Sequence, residues 1–249
     1  MTGIVLKTAN ELQVMRLAGG ILSRLLKLLE QEVKPGVTTK RLDIIAEQMI
    51  RDEGGEPAFK GYYGYPASIC ASVNEEVVHG IPGNRVLKDG DIAGIDVGVR
   101  LQDYYSDAAR TFAVGSVDEQ SRRLINLTRE ALGLGIDQAV EGHRLSDISW
   151  AVQSFAESNG LSVVKQYVGH GIGRSLHEEP QVPNYGKPHE GPKLMEGMAL
   201  AIEPMLNIGA ADVEVLEDGW TVVTKDRKRS GHFEQTIFVG KVQAEIVTE

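Results

Sequence analysis

The first half of this sequence recurs in the second at a nearly constant spacing, so any fold must accommodate two copies of one pattern. Thr8-Ala-Asn-Glu11 has the form of a capping box, with threonine at the helix start and glutamate three residues on. It leads into Leu12, Met15, Ala18, Leu22, Leu25 and Leu29, an apolar stripe at helical spacing. Ser116-Val-Asp-Glu119 has the same form 108 residues later and leads into Leu124, Leu127, Ala131, Leu134 and Val140. Gly36 and Gly54 then bracket a second helical segment carrying Leu42, Ile45, Met49 and Ile50. Gly142 and Gly160 bracket its counterpart with Leu145, Ile148, Val152 and Phe155, at an offset of 106. Leu87-Lys-Asp-Gly90-Asp-Ile-Ala-Gly-Ile-Asp96 parallels Leu194-Met-Glu-Gly197-Met-Ala-Leu-Ala-Ile-Glu203 at an offset of 107. Helical and strand patterns recur in any α/β protein, but a shared offset across three matches is not expected by chance. The expectation is an α/β (α+β) protein of two pseudo-symmetric halves, roughly 8–115 and 116–240. Each half has two helices followed by antiparallel strands. No linker or low-complexity stretch separates them, so residues 1–249 are read as a single catalytic domain, with a cleft on the shared axis where binding sites tend to form.

Two strand-like segments carry an acid among apolar residues: Asp96 in Ile92-Ala-Gly-Ile-Asp-Val-Gly-Val99 and Glu203 in Ala199-Leu-Ala-Ile-Glu-Pro-Met-Leu206. Pro204 should end or bulge the second strand beside Glu203. An unpaired buried carboxylate costs on the order of several kcal/mol, and neither segment holds a Lys or Arg to pair with it. Because the two acids fall at equivalent repeat positions, both should face the pseudo-axis, and a cation between them would relieve their repulsion. Asp107, in Tyr104-Tyr-Ser-Asp-Ala-Ala-Arg-Thr-Phe112, sits on a segment that can hairpin back beside the first strand. Glu234 stands in another apolar strand pattern, His232-Phe-Glu-Gln-Thr-Ile-Phe-Val239, and His170 is flanked by glycines that permit close backbone approach. Each position alone carries little. Together they form a set of one histidine and four carboxylates, which suits hard or borderline divalent ions such as Mn, Fe or Co, with zinc also compatible. Four carboxylates balance two such ions, whereas one would leave the cluster anionic.

The remaining composition mostly excludes. The formal net charge of −9 opposes a nucleic-acid or anionic-membrane partner. A single cysteine, Cys70, rules out an intrachain disulfide and suits a reducing compartment. The segment Met1–Lys7 is too short and interrupted for a signal peptide, and no apolar run approaches the ~18 residues of a membrane span. A cytoplasmic location follows as the expectation. Neither a Ser/His/Asp or Cys/His nucleophile pattern nor a phosphate-binding loop is recognisable.

Six segments in order resemble the type I methionine aminopeptidases, whose α/β fold is called pita-bread. They are Ser72-Val-Asn-Glu-Glu-Val-Val-His-Gly-Ile-Pro82, Ile95-Asp-Val-Gly98, Ser106-Asp-Ala-Ala-Arg-Thr-Phe112, Gly169-His-Gly-Ile-Gly-Arg174, Ala201-Ile-Glu-Pro-Met205 and His232-Phe-Glu-Gln-Thr236. The resemblance runs from about Lys7 to Thr248. Ser106 departs from it, since glycine is more usual before the aspartate. The resemblance implies that Asp96, Asp107, His170, Glu203 and Glu234 hold two divalent metals, with Asp107 and Glu234 bridging. It implies that His79 and His177 contact the substrate, and that Tyr62, Tyr65, Cys70 and Trp220, with Phe59 and Leu176, form the methionine pocket. His177 would stabilise the oxyanion, His79 would hold the scissile amide, and Glu203 would handle the proton. About sixteen extra residues after His170, including His177, make the two halves chemically unequal. Cys70 is read as a small buried apolar residue.

The implied substrate is the amino terminus of a nascent polypeptide bearing its initiator methionine, with a small second residue preferred. Docking on a ribosome would have to use the folded surface, and a monomer is the default. A proline-specific relative, a prolidase or aminopeptidase P, would carry a large extra amino-terminal domain. A non-catalytic binding module of this fold would have no reason to keep both the ligand set and the site histidines. A type II enzyme would need a long insertion where only thirty residues separate Glu203 from Glu234.

Overall fold

Helices form where an apolar stripe coincides with a cap. In the computed structural model, which describes residues 3–249, helix α1 spans Ala9–Glu32. Its capping box is closed: Thr8 N–H donates to Glu11 Oε2 at 2.8 Å, and Glu11 N–H donates to Thr8 Oγ1 at 3.4 Å. Met15, Ala18, Leu22, Leu25 and Leu29 are buried as their spacing predicts, joined by Ile21 and Leu26. Helix α2 (Thr39–Asp52) and helix α4 (Leu145–Ser158) lie inside their glycine brackets. Gly36, Gly54, Gly142 and Gly160 all adopt positive φ, which glycine tolerates without strain. Residues 1 and 2, at the head of the segment read as no signal peptide, lie outside the described residues.

Helix α3 (Glu119–Asp137) differs from expectation at its start. Its cap is Asp118, whose carboxylate accepts from Ser121 N–H at 2.7 Å, while Ser116 N–H donates to Asp89 instead. An ionised oxygen is the stronger acceptor and favours the positive end of the helix dipole, so the helix begins two residues later than the Ser116 pattern suggests. The buried stripe moves accordingly to Leu124, Ile125, Ala131, Leu132 and Ile136; Leu127 and Leu134 are half-buried, and Val140 lies beyond the helix.

The strands Ile92–Leu101 and Tyr104–Ala113 form a hairpin in continuous register from Ile92↔Ala113 to Leu101↔Tyr104. Gln102 and Asp103 both take positive φ, the two-residue turn whose twist matches a hairpin. In the second half, Glu234–Phe238 pairs with Ala199–Ile202, which pairs with Gly169–Gly171. The halves join edge to edge in one nine-stranded sheet. The link between Tyr104–Ala113 and Glu234–Phe238 consists of only the pairs Glu234↔Ala109 and Gln235↔Ala108. One hydrophobic core packs α1 and α2 on the first half, and another packs α3 and α4 on the second. The fold is mixed α/β with antiparallel pairing, and the carboxylate-bearing strands lie side by side at the seam.

Candidate active site

Asp96 and Asp107 come from the two arms of the hairpin, Glu234 from the strand across the seam, His170 from Gly169–Gly171, and Glu203 from the break after Ile202. That break leaves Glu203 between the strands Ala199–Ile202 and Met205–Asn207, beside Pro204 as its sequence position suggests. The glycines around His170 are required by close packing. A Cβ on Gly169 would lie 2.3 Å from Ala201 O, and one on Gly171 would lie 2.3 Å from Glu179 O.

Ligand atoms of Asp107, His170 and Glu234 all lie within 4.8 Å of one another. His170 Nε2 is 3.7 Å from Glu203 Oε1. His170 Nδ1 is 2.9 Å from Gly171 O, and a carbonyl only accepts, so Nδ1 carries the proton and Nε2 turns a lone pair to the cluster. Burial, followed by repulsion from neighbouring carboxylates, raises the pKa of Asp96, Glu203 and Glu234, and burial pushes Asp107 up to about 7. Burial, then the nearby His177, lowers His170 to about 3. Asp96 Oδ1 and Asp107 Oδ1 are buried with no hydrogen-bond partner. Orphaned oxygens in a cluster of buried acids, facing an unprotonated imidazole nitrogen, fit divalent cations with oxygen and imidazole ligands.

This cluster floors a cleft of about 230 Å³ lined by Phe59, Tyr62, Tyr63, Tyr65, Cys70, His79, Asp96, Asp107, His170, Leu176, His177, Glu203, Trp220 and Glu234. Every residue expected to hold metal or substrate is brought to this one cavity. Phe59, Tyr65, Cys70 and Leu176 are buried in its wall. Trp220 meets Tyr65 edge-on with ring centres 5.1 Å apart. Burial, then the Asp96 charge, raises the Cys70 thiol, which therefore stays neutral. Tyr65 Oη lies 3.0 Å from both Ile69 O and Gly80 O, which fixes the ring in place. His79 is held in a left-handed backbone conformation (φ 61°), a costly state for a non-glycine residue. Burial, then His177, lowers its pKa to about 4. Tyr62 Oη is 2.8 Å from His177 Nδ1, and the His177 ring lies 4.3 Å from that of His170.

Several residues at the site escaped the sequence reading. Tyr63 stands exposed at the lip, and Tyr167 packs edge-on against His79 at 5.5 Å. Asn184 donates to Glu203 O at 3.0 Å. His232 is buried, and its Nε2 lies 3.6 Å from Glu203 Oε2 without a hydrogen bond. A signal for His232 was present: it precedes Glu234 by two residues, the spacing that puts side chains on one face of a strand.

A sequence profile described as metallopeptidase family M24 matches residues 13–241. This chain belongs to metallopeptidase family M24. Among M24 relatives, the methionine aminopeptidase of Clostridium perfringens is 54% identical over 98% of this chain and 98% of its own. The crystal structure of methionine aminopeptidase from Thermotoga maritima superposes with a TM-score of 0.98 at 45% identity, covering 99% of both chains. A prolidase from Pyrococcus furiosus shares the fold at a TM-score of 0.81, with 22% identity, and this chain covers 98% of itself but only 65% of that protein. The M24 chain is thus an enzyme of the metallopeptidase class with the pita-bread fold.

Proposed function

We propose that this M24 enzyme is a methionyl aminopeptidase that removes the initiator methionine from nascent polypeptides, preferentially when the second residue is small. The observation that carries the reading is the adjoining of two environments in one cleft: a carboxylate cluster with orphaned buried oxygens on Asp96 and Asp107, and an apolar aromatic pocket. Full-length similarity to proteins named methionine aminopeptidase supports it.

In this reading Asp96, Asp107, His170, Glu203 and Glu234 hold two divalent ions, with Co, Mn, Fe and Zn all compatible with the donor set. When bound, the ions supply Lewis acidity and lower the pKa of water. The protein's own groups do the rest. Phe59, Tyr62, Tyr65, Cys70, Leu176 and Trp220 enclose the methionine side chain, whose thioether suits aromatic edges. The free amino terminus of the substrate would be held at the floor of the cleft beside the ions, a position no internal peptide segment can take. Tyr62 Oη lies 2.8 Å from His177 Nδ1 and in this reading is the donor, which leaves the His177 proton on Nε2 to donate a hydrogen bond to the oxyanion. Glu203 takes the proton from the attacking water and returns it to the leaving nitrogen as the C–N bond breaks, while His79 holds the scissile amide.

The single-domain reading belongs to the same proposal: the active cluster draws ligands from both pseudo-repeats, 8–115 and 116–240, so neither half is complete alone. No helix among the described residues is long and apolar enough to cross a membrane. A cytoplasmic monomer that meets its substrates as they leave the ribosome, with no nucleic-acid contact of its own, fits the net charge of −9.

The test is release of free methionine from Met-Ala-Ser and Met-Pro-Ala by metal-stripped enzyme supplied with Mn or Co, beside a Leu-Pro-Ala control. Metal-dependent release from the methionyl peptides alone is expected. Cleavage of Leu-Pro-Ala instead would assign a proline-specific peptidase, and inactivity with every metal would leave a binding module.

A further inference from the structure

Asp107 must present its carboxylate accurately, yet its side chain has little to hold it. Its Oδ1 has no hydrogen-bond partner, and what its carboxyl group meets is the Ala108 amide, next in its own chain, and the carboxyl of Asp96. Half-buried acids elsewhere in this protein are pinned differently. Asp43, for example, accepts from Ser68 N–H at 2.8 Å and Ile69 N–H at 3.1 Å through one oxygen. The position of Asp107 therefore depends on its backbone.

That backbone lies at a fork in the sheet. The ladder across the seam ends at Gln235↔Ala108. The next pair would be Thr236 with Asp107, but Thr236 turns its own main chain to the segment near the carboxyl end. Its N–H donates to Thr248 Oγ1 at 3.1 Å, and its carbonyl accepts from Val247 N–H at 2.9 Å. Both main-chain groups of Asp107 are then met by one hydroxyl. Thr236 Oγ1 accepts from Asp107 N–H at 2.9 Å and donates to Asp107 O at 2.8 Å, in a fully buried setting. The same device recurs about the Glu234↔Ala109 pair as a local two-fold. Thr111 Oγ1 accepts from His232 N–H at 2.9 Å and donates to His232 O at 2.8 Å. A hydroxyl is the one small neutral group that can donate and accept at once in such a gap.

We propose that Thr236 is a positioning residue for the metal centre, its hydroxyl replacing a missing rung of the sheet and thereby fixing the carboxylate of Asp107. Thr111 is its counterpart at His232, which is not among the ligands. The proposal rests on the metal-centre reading above, in which Asp107 would be a ligand. Groups behind metal ligands commonly set affinity by about 10- to 100-fold.

The test compares the full chain with Thr236→Val, Thr236→Ser and Thr111→Val. Mn(II) affinity is read by calorimetric titration of the stripped proteins, and the melting temperature of each is read without metal. Thr236→Val should bind Mn(II) at least tenfold more weakly, and Thr236→Ser should restore binding to within about threefold of the parent. Thr111→Val should lose comparable melting temperature but keep Mn(II) affinity within about threefold. Thr236→Ala, which adds no bulk, repeats the measurement if the valine variant does not fold. Equal Mn(II) affinity for the parent and the hydroxyl-free variants would overturn the proposal, as would equal losses from Thr236→Val and Thr111→Val. A parent that binds no Mn(II) would fell the metal-centre reading and this proposal with it.

Discussion

Replacing Gly169 by alanine should damage both stability and catalysis, by amounts the backbone geometry sets. The new Cβ would lie 2.3 Å from Ala201 O, whereas real Cβ atoms essentially never come closer than 3.0 Å. The atom it meets is main chain, in the strand that pairs His170 with Ala201 and leads directly to Glu203. Neither partner can rotate away, so the strands must separate. Overpacking of this kind costs about 1–3 kcal/mol. For a chain of this size that corresponds to a fall in melting temperature of about 2–12 °C. The separation moves His170 relative to Glu203, and misplacement approaching an ångström costs catalysis about 100-fold. The control is Gly133→Ala in helix α3, where a Cβ meets nothing within 4 Å. There alanine should stabilise by about 1 kcal/mol through helix propensity, leaving methionine release unchanged. The assays are thermal unfolding by circular dichroism and methionine release from Met-Ala-Ser under saturating Mn(II). If Gly169→Ala melts and turns over like the parent while Gly133→Ala behaves as stated, close strand approach does not set the site and the argument fails.

Three other expectations follow from the same geometry. Mn(II) at a hundred times its dissociation constant should stabilise the stripped protein by about 2.7 kcal/mol, a rise of about 5–11 °C that chelator reverses, and no shift would remove the case for a metal centre. Tyr62→Phe removes the hydroxyl that bonds His177 Nδ1 and should lower kcat about 5- to 30-fold (1–2 kcal/mol) with little change in KM; an effect on KM alone would place Tyr62 only in the pocket. Hydrogen bonds from Lys60, then Arg51, hold the Glu47 carboxyl at about 2, below its ordinary 4.5. A lowered folded value gives stability that is present above pH 4.5 and lost as pH falls towards 2, so Glu47→Gln should flatten that part of the melting-temperature profile, and parallel profiles would refute it.

Much of this was legible in the sequence because it depended on local pattern. The stripe from Met15 to Leu29 specifies the buried face of α1 wherever the helix packs. An acid in an apolar strand without a nearby cation, as at Asp96 and Glu203, announces a charge that something must neutralise. What stayed hidden depended on relations between distant residues. Ser116 reads as the cap, yet Asp118 caps α3, while Asp89 engages the Ser116 amide from another loop. The link between Tyr62 and His177 spans 115 positions in the chain, and no spacing rule reaches that far.

The sequence by itself determined that there are two alike halves, which helices they contain, and which acids need a counter-charge. Period and burial cost act residue by residue, so they can be read from order alone. Only the tertiary structure decided that the halves meet edge to edge and that the ladder between Tyr104–Ala113 and Glu234–Phe238 is two pairs long. Only the fold placed His232 beside Glu203 and let threonine hydroxyls complete the rungs at Asp107 and His232. Those outcomes are set by where strands diverge in space, through steric contact and hydrogen-bond completion between segments distant in the chain.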